Sequence, residues 1–174
     1  MNNPIRILQE EHALLLQAIE SGRAIQKVKD NTVYYNLMRD FIIFIRNYTE
    51  IYHHPKEEII LYPLLKNRSS TMSEEFIHEI CDNHEDFKSL IAEIENHYVM
   101  YDCTQLRNAM SSYFELLSEH IIRENKIILS VAAEFLTPLE KENIYKLFEK
   151  MDKLNGEKEE LKKILYKINM QIIK

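Results

Sequence analysis

Apolar residues recur every three to four positions over most of this chain, the spacing of one face of an α-helix. The first stripe runs Ile5, Leu8, His12, Leu15, Leu16 and Ile19, with Asn3 as N-cap, Pro4 at the first helical position, and an end before the polar stretch from Lys27 to Asn31. A second helix is predicted from about Thr32 to Lys66. Its stripe passes through Met38, Ile42, Ile45, Thr49, His53, Glu57, Ile60 and Leu64, with Pro55 inside it. A proline there removes a hydrogen bond, so a kink or local loosening is expected between His53 and Glu57. After the polar break from Asn67 to Ser70, Thr71 with Glu74 has the pattern of a capping box. The third stripe is Ile77, Ile80, His84, Phe87, Ile91, Ile94 and Tyr98. Asp102 with Gln105 opens a fourth helix, whose stripe is Met110, Tyr113, Leu117, His120, Glu124, Ile127 and Val131. The alternation of threes and fours is that of bundle packing at small crossing angles. Thr137-Pro138-Leu139-Glu140 starts a short fifth helix over about 138–153. Beyond Gly156, Leu161, Ile164, Leu165, Ile168 and Ile172 mark the tail as an amphipathic helix. The pattern predicts an all-α, up-down four-helix bundle over 1–153 and a charged helical tail over 154–174. No internal repeat is evident.

The stripes carry polar residues where a bundle ordinarily places leucine. His12, His53, His84 and His120 fall on four different helices, and Glu57 and Glu124 follow two of them at i+4. Residues four apart share a helix face, so each His–Glu pair can offer a nitrogen and an oxygen to one site. One histidine on an apolar stripe is ordinarily a satisfied core residue, and one His-x-x-x-Glu pair is common on solvated faces. The joint pattern is different, because burying all six without partners costs several kcal/mol per group. A compensating cation removes that cost. Carboxylates can bridge two ions and imidazoles can terminate each, so the set suits a dinuclear centre, and this ligand mixture points first to iron.

Composition narrows the classes further. The chain has 174 residues, 45% hydrophobic and 29% charged, enough for one domain with a sizeable core. Gly 2 and Pro 4 fit long uninterrupted helices. A net charge of −6 without a basic patch argues against nucleic acid as partner. No apolar run reaches the length of a membrane span, and the N-terminus lacks the layout of a signal peptide. Cys81 and Cys103, without CxxC spacing, are read as reduced thiols in a cytoplasmic protein.

The segments His53-His54-Pro55-Lys56-Glu57-Glu58-Ile59-Ile60-Leu61-Tyr62-Pro63 and His120-Ile121-Ile122-Arg123-Glu124-Asn125 resemble the HHE cation-binding motifs of the hemerythrin-like family. Glu11-His12 and Asn83-His84-Glu85-Asp86-Phe87 are similar to its first- and third-helix histidine segments, so the resemblance spans about residues 4–152. It implies a four-helix bundle with a non-haem di-iron centre, two irons joined by an oxo or hydroxo bridge, held by His12, His53, Glu57, His84, His120 and Glu124. The order His then Glu at i+4 differs from the Glu-x-x-His of ferritin-like di-iron bundles. Oxygen-carrying hemerythrins have another histidine on the third helix, one turn before the first; Ile80 stands there. They also use an aspartate five residues after the fourth-helix histidine, where this chain has Glu124 after four. Six ligands for two ions leave open positions. Reaction with oxygen, peroxide or nitric oxide therefore stands beside simple oxygen carriage. His54 with Glu58 repeats the spacing of His53 with Glu57; motif alignment favours the latter and leaves His54 behind the ligands or at the surface.

His78 and His97 are expected at the surface. Tyr48, Tyr52 and Tyr113 are candidates to flank the centre, with core packing as the ordinary alternative. The leading functional expectation is a di-iron protein binding O2 or a related diatomic for sensing, storage or detoxification. Another is an oxidoreductase or iron donor in iron–sulfur cluster repair or in nitric oxide or peroxide stress. Many repair proteins of that kind begin with a cysteine-bearing region, whereas this chain opens directly into its first helix. A third is a metal-free helical interaction module, for which His120→Ala would be harmless. The tail can pack on the bundle, pair with a second copy to give a homodimer, or bind a protein partner; the last two are favoured because a four-helix bundle does not need it.

Overall fold

The computed structural model describes residues 3–66, 68, 72–156 and 158–172, and among them there are six helices and no strand. Helix α1 is Pro4–Ile25, capped by the Asn3 side chain. Helix α2 spans 31–65 and is capped by Asp30, one residue before the expected start. Helix α3 is Glu74–Val99. Its N-cap is Ser73, whose hydroxyl accepts from the Phe76 amide; Thr71 of the expected capping box lies outside the described residues. Helix α4 spans 103–135 behind Asp102, α5 is Pro138–Asn155 with the full Thr137–Glu140 capping box, and α6 is Lys158–Ile172.

Helices α1 to α4 form the ring of a bundle, with α2 beside α1 and α3, and α4 beside α3 and α1. The close approach of α1 depends on Gly22. A Cβ there would lie 2.3 Å from the Phe114 ring and 2.8 Å from that of Phe41. Helices α5 and α6 lie outside the ring, both against α1 and α2. The α6 stripe is covered by the chain itself: Leu161, Leu165 and Ile168 are buried in the same apolar cluster as Leu15 and Phe41. Packing on the bundle, one of the three expected fates of this face, removes most of its apolar surface from water.

Two helices do not keep one period throughout. In α2 the turns widen to i→i+5 bonding over Tyr48–His53 and Lys56–Leu61, on either side of Pro55. In α4 they widen over Glu124–Ile128. Each wide turn carries an extra residue, so the buried face slips along the sequence. Beyond the wide turns, Leu61 and Leu65 are fully covered where Leu64 was expected, and Ile128 and Leu129 where Ile127 was expected. The expected loosening at Pro55 is present. The one in α4 has no proline to announce it.

The core is split. One apolar cluster includes Leu15, Phe41, Phe87, Met110 and Leu117; the other includes Leu8, Leu65, Ile80, Leu129 and Phe148. On each of the four ring helices, the polar stripe residues fall between members of these two clusters. A buried polar layer therefore crosses the middle of the bundle.

Candidate metal centre

His12, His53, Glu57, His84, His120 and Glu124 are all at most 1% exposed and meet in this layer. The His12 Nε2 atom lies 3.1 Å from Glu124 Oε2 and 3.5 Å from Glu57 Oε1. His53 Nε2 is 3.6 Å from Glu57 Oε2. On the other side His120 Nε2 is 3.2 Å from Glu124 Oε2, and His84 Nε2 is 3.9 Å from an oxygen of each glutamate. Two four-residue groups result, His12–His53–Glu57–Glu124 and Glu57–His84–His120–Glu124, each with donor atoms within 4.8 Å of one another. Glu57 and Glu124 belong to both.

Groups behind the histidines fix their ring orientation. His53 Nδ1 lies 3.1 Å from Glu11 Oε2, His84 Nδ1 2.6 Å from Glu58 Oε1, and His12 Nδ1 3.0 Å from Asn125 Oδ1. An Nδ1–H donating to each oxygen leaves the Nε2 lone pair facing inward, the arrangement usual behind metal-bound imidazoles. His84 Nε2 and His120 Nε2 then face one another at 3.0 Å. Two lone pairs at that distance repel, unless one nitrogen is protonated or a cation lies between them.

The unpaired atoms make the same point. Nε2 of His12 and His53, both oxygens of Glu57 and Oε2 of Glu124 are buried without a hydrogen-bond partner. Such atoms are rare in native interiors and ask for an explanation. Here they converge on one space, and an ion held by them would satisfy the whole set. Burial opposes ionisation of Glu124, but His120 and His12 outweigh it and hold its carboxyl well below the usual range. Burial likewise disfavours a charge on His12, yet Glu124 and Glu57 raise its pKa to about 10. Without metal, a proton on His12 takes the place of part of the missing positive charge.

The two registers of α2 place their glutamates differently. Glu57 is in the layer, whereas the Glu58 side chain is 32% exposed and accepts from His84. His54 is not at the surface. It is 2% exposed and stacked face-on against His84, ring centres 3.9 Å apart and planes 8° from parallel, with neither nitrogen hydrogen-bonded. Ring nitrogens of His54, His84 and His120 also lie within 4.8 Å of one another, but imidazole lone pairs lie in the ring plane, so the parallel rings of His54 and His84 are poorly aimed at one ion. His54 instead borders the His84–His120 side as a neutral ring, its pKa pushed down by burial and by His84 and His53. His78 is exposed as expected, and His97 is partly covered.

The phenol that reaches the carboxylates is Tyr62, which donates to Glu124 Oε1. The three tyrosines considered from the sequence are occupied elsewhere. Tyr48 stacks on Phe44, Tyr113 packs on Phe87, and Tyr52 donates to the Asn155 carbonyl. Both cysteines are free and partly buried.

The model of the hemerythrin HHE cation-binding domain matches residues 3–132. The chain belongs to this family. No curated protein and no solved structure matches the chain. In this HHE domain the buried His and Glu groups are consistent with a metal site. Among the described residues, no helix is long and apolar enough to cross a membrane.

Proposed function

We propose that this HHE domain is a non-haem di-iron protein that binds O2 or a related diatomic molecule. The supporting observation is the sharing of Glu57 and Glu124 between two four-residue groups. A carboxylate with two buried, unpaired oxygens, as in Glu57, is suited to bridge two cations. In this reading His12 and His53 hold one ion and His84 and His120 the other, with the two glutamates common to both. Imidazole with carboxylate suits iron. Bound iron would supply electrons and Lewis acidity to a diatomic ligand. The chain's residues do the rest: Glu11, Asn125 and Glu58 keep three imidazoles in one tautomer, and Tyr62 holds Glu124 by one oxygen. The two apolar clusters exclude bulk water from either side.

A second reading, an oxidoreductase or iron donor acting under nitric oxide or peroxide stress, draws support from His54. Its ring nitrogens, neither hydrogen-bonded, place polar groups beside the His84–His120 side, where a purely apolar lining would suit simple carriage better. The test of the main reading is metal content and the optical spectrum of protein purified in air. About two irons per chain with near-ultraviolet ferric charge-transfer bands are expected, followed by oxygen and nitric oxide titrations of the reduced form. Protein that holds no iron, or only loosely held zinc, overturns it. Release of unchanged oxygen over many cycles would favour carriage over reaction.

A further inference from the structure

The matched family region ends at residue 132, yet Lys158 of α6, outside it, contacts Glu11, the carboxylate behind His53. Glu11, 3% exposed, uses Oε2 for His53 and Oε1 for two lysines. Lys56 Nζ donates to it at 2.6 Å and Lys158 Nζ at 2.5 Å. Asp152 of α5 completes the cluster, 2.7 Å from Lys56 and 2.9 Å from Lys158. Lys56 is fully buried, and the Lys158 side chain is 17% exposed. Two cations and two anions thus alternate in a closed network that ties α1, α2, α5 and α6 together behind one histidine.

We propose that Lys158 is a positioning residue of the metal centre, acting through Glu11 on His53, so that the C-terminal helix is part of the site. A buried carboxylate accepting from an imidazole N–H fixes both the ring angle and the tautomer. Groups in that place typically alter metal affinity by about 10–100-fold when removed. The other oxygen of Glu11 is held by Lys56 and Lys158, so Lys158 shares with Lys56 the task of keeping the carboxylate turned toward His53. The direct effect belongs to the His12–His53 side alone, because His84 is held by Glu58 and the α6 network does not touch it.

This inference rests on the metal reading above, and one titration separates the two. Co2+ is added to the full metal-free chain and followed by its visible absorption. Wild type is expected to take up two Co2+ per chain. In Lys158→Met, one of the two sites is expected to weaken by up to about ten-fold, the lower end of the range for direct partners of a ligand, with a changed spectrum, and the other to weaken less. Lys158→Arg is expected to recover much of the loss, and Lys163→Met, on the exposed face of the same helix, to change nothing. Far-ultraviolet circular dichroism checks that each metal-free variant is folded; if Lys158→Met is not, Lys158→Gln is read in the same way. A folded variant with both affinities and the spectrum unchanged overturns the inference. So does equal weakening of both sites without recovery in Lys158→Arg, which is the mark of a general structural role. A wild-type chain that takes up no Co2+ overturns the metal reading itself, and the inference with it.

Discussion

At the scale of single residues, His53 and His54 are neighbours in sequence with opposite expected behaviour. His53 points Nε2 at Glu57 and rests on Glu11; His54 stacks on His84, neither nitrogen hydrogen-bonded and Nδ1 3.5 Å from Glu50 Oε1. His53→Ala is therefore expected to lose bound iron, measured per chain by elemental analysis. His54→Phe is expected to keep two. It should also raise the melting temperature of the metal-free protein, because a buried polar group without a hydrogen bond costs about 1–3 kcal/mol and a phenyl ring keeps the stack. A loss of iron in His54→Phe would instead make His54 a ligand. His12 sets the pH dependence. Its metal-free pKa is raised from an ordinary 6.5 to about 10, since Glu124 and Glu57 outweigh its burial. The stability from this proton is complete below pH 6.5 and is lost as the pH rises through about 10. Urea midpoints of the metal-free protein are expected to fall across that window. A bound cation displaces the same proton, so metal uptake at neutral pH is expected to release acid, readable with an indicator dye in weak buffer.

At the scale of helices, the wide turns and the close α1 approach have different physical origins. The wide turns of α2 flank His53 and Glu57, and that of α4 begins at Glu124. Widened turns inside α-helices are frequent at functional sites, because the extra residue re-aims a side chain without ending the helix. Gly22 is different, a matter of space alone. Its missing Cβ is replaced by the rings of Phe114 and Phe41. Gly22→Ala is expected to destabilise by about 1–3 kcal/mol through overpacking, despite alanine's better helix propensity. Chemical denaturation measures it, and a neutral or stabilising result would show that the rings can move aside.

At the scale of the whole molecule, the buried His and Glu layer lies between two apolar clusters, so a cation bound there would couple to stability. An ion that binds only the folded chain stabilises it by about 2.7 kcal/mol at one hundred times its Kd. Iron-loaded protein is expected to melt well above the same protein treated with a chelator, the difference shrinking in His120→Ala. Equal melting temperatures would favour a metal-free helical module. Helix α6 belongs to this unit as well. Leu165 is 2% exposed in the cluster it shares with α1 and α2. Leu165→Ala is expected to cost about 2–5 kcal/mol, a range set by how far the site collapses. A loss near zero would mean that α6 is docked only loosely.

The helices and most of their buried faces were legible in the sequence, because a 3.6-residue period together with caps at Asn3, Asp102 and Thr137 needs only local information. The six inward His and Glu side chains were legible for the same reason, since they lie in line with apolar stripes. What the period does not carry is how one helix faces another. Glu11, Glu58, Lys56, Asn125 and Tyr62 sit off the stripes or look like ordinary polar positions, and they become part of the site only through residues 26 to 113 positions away. The burial of His54 depends on His84 of another helix, and the slip at Ile128 on a widened turn with no proline to mark it. The amphipathic tail shows the division most plainly. Its apolar face was determined by sequence alone. That this face is satisfied by α1 and α2 of its own chain, with Lys158 brought to Glu11, was decided only by the tertiary structure, because the pattern specifies that a surface must be buried and not what will bury it.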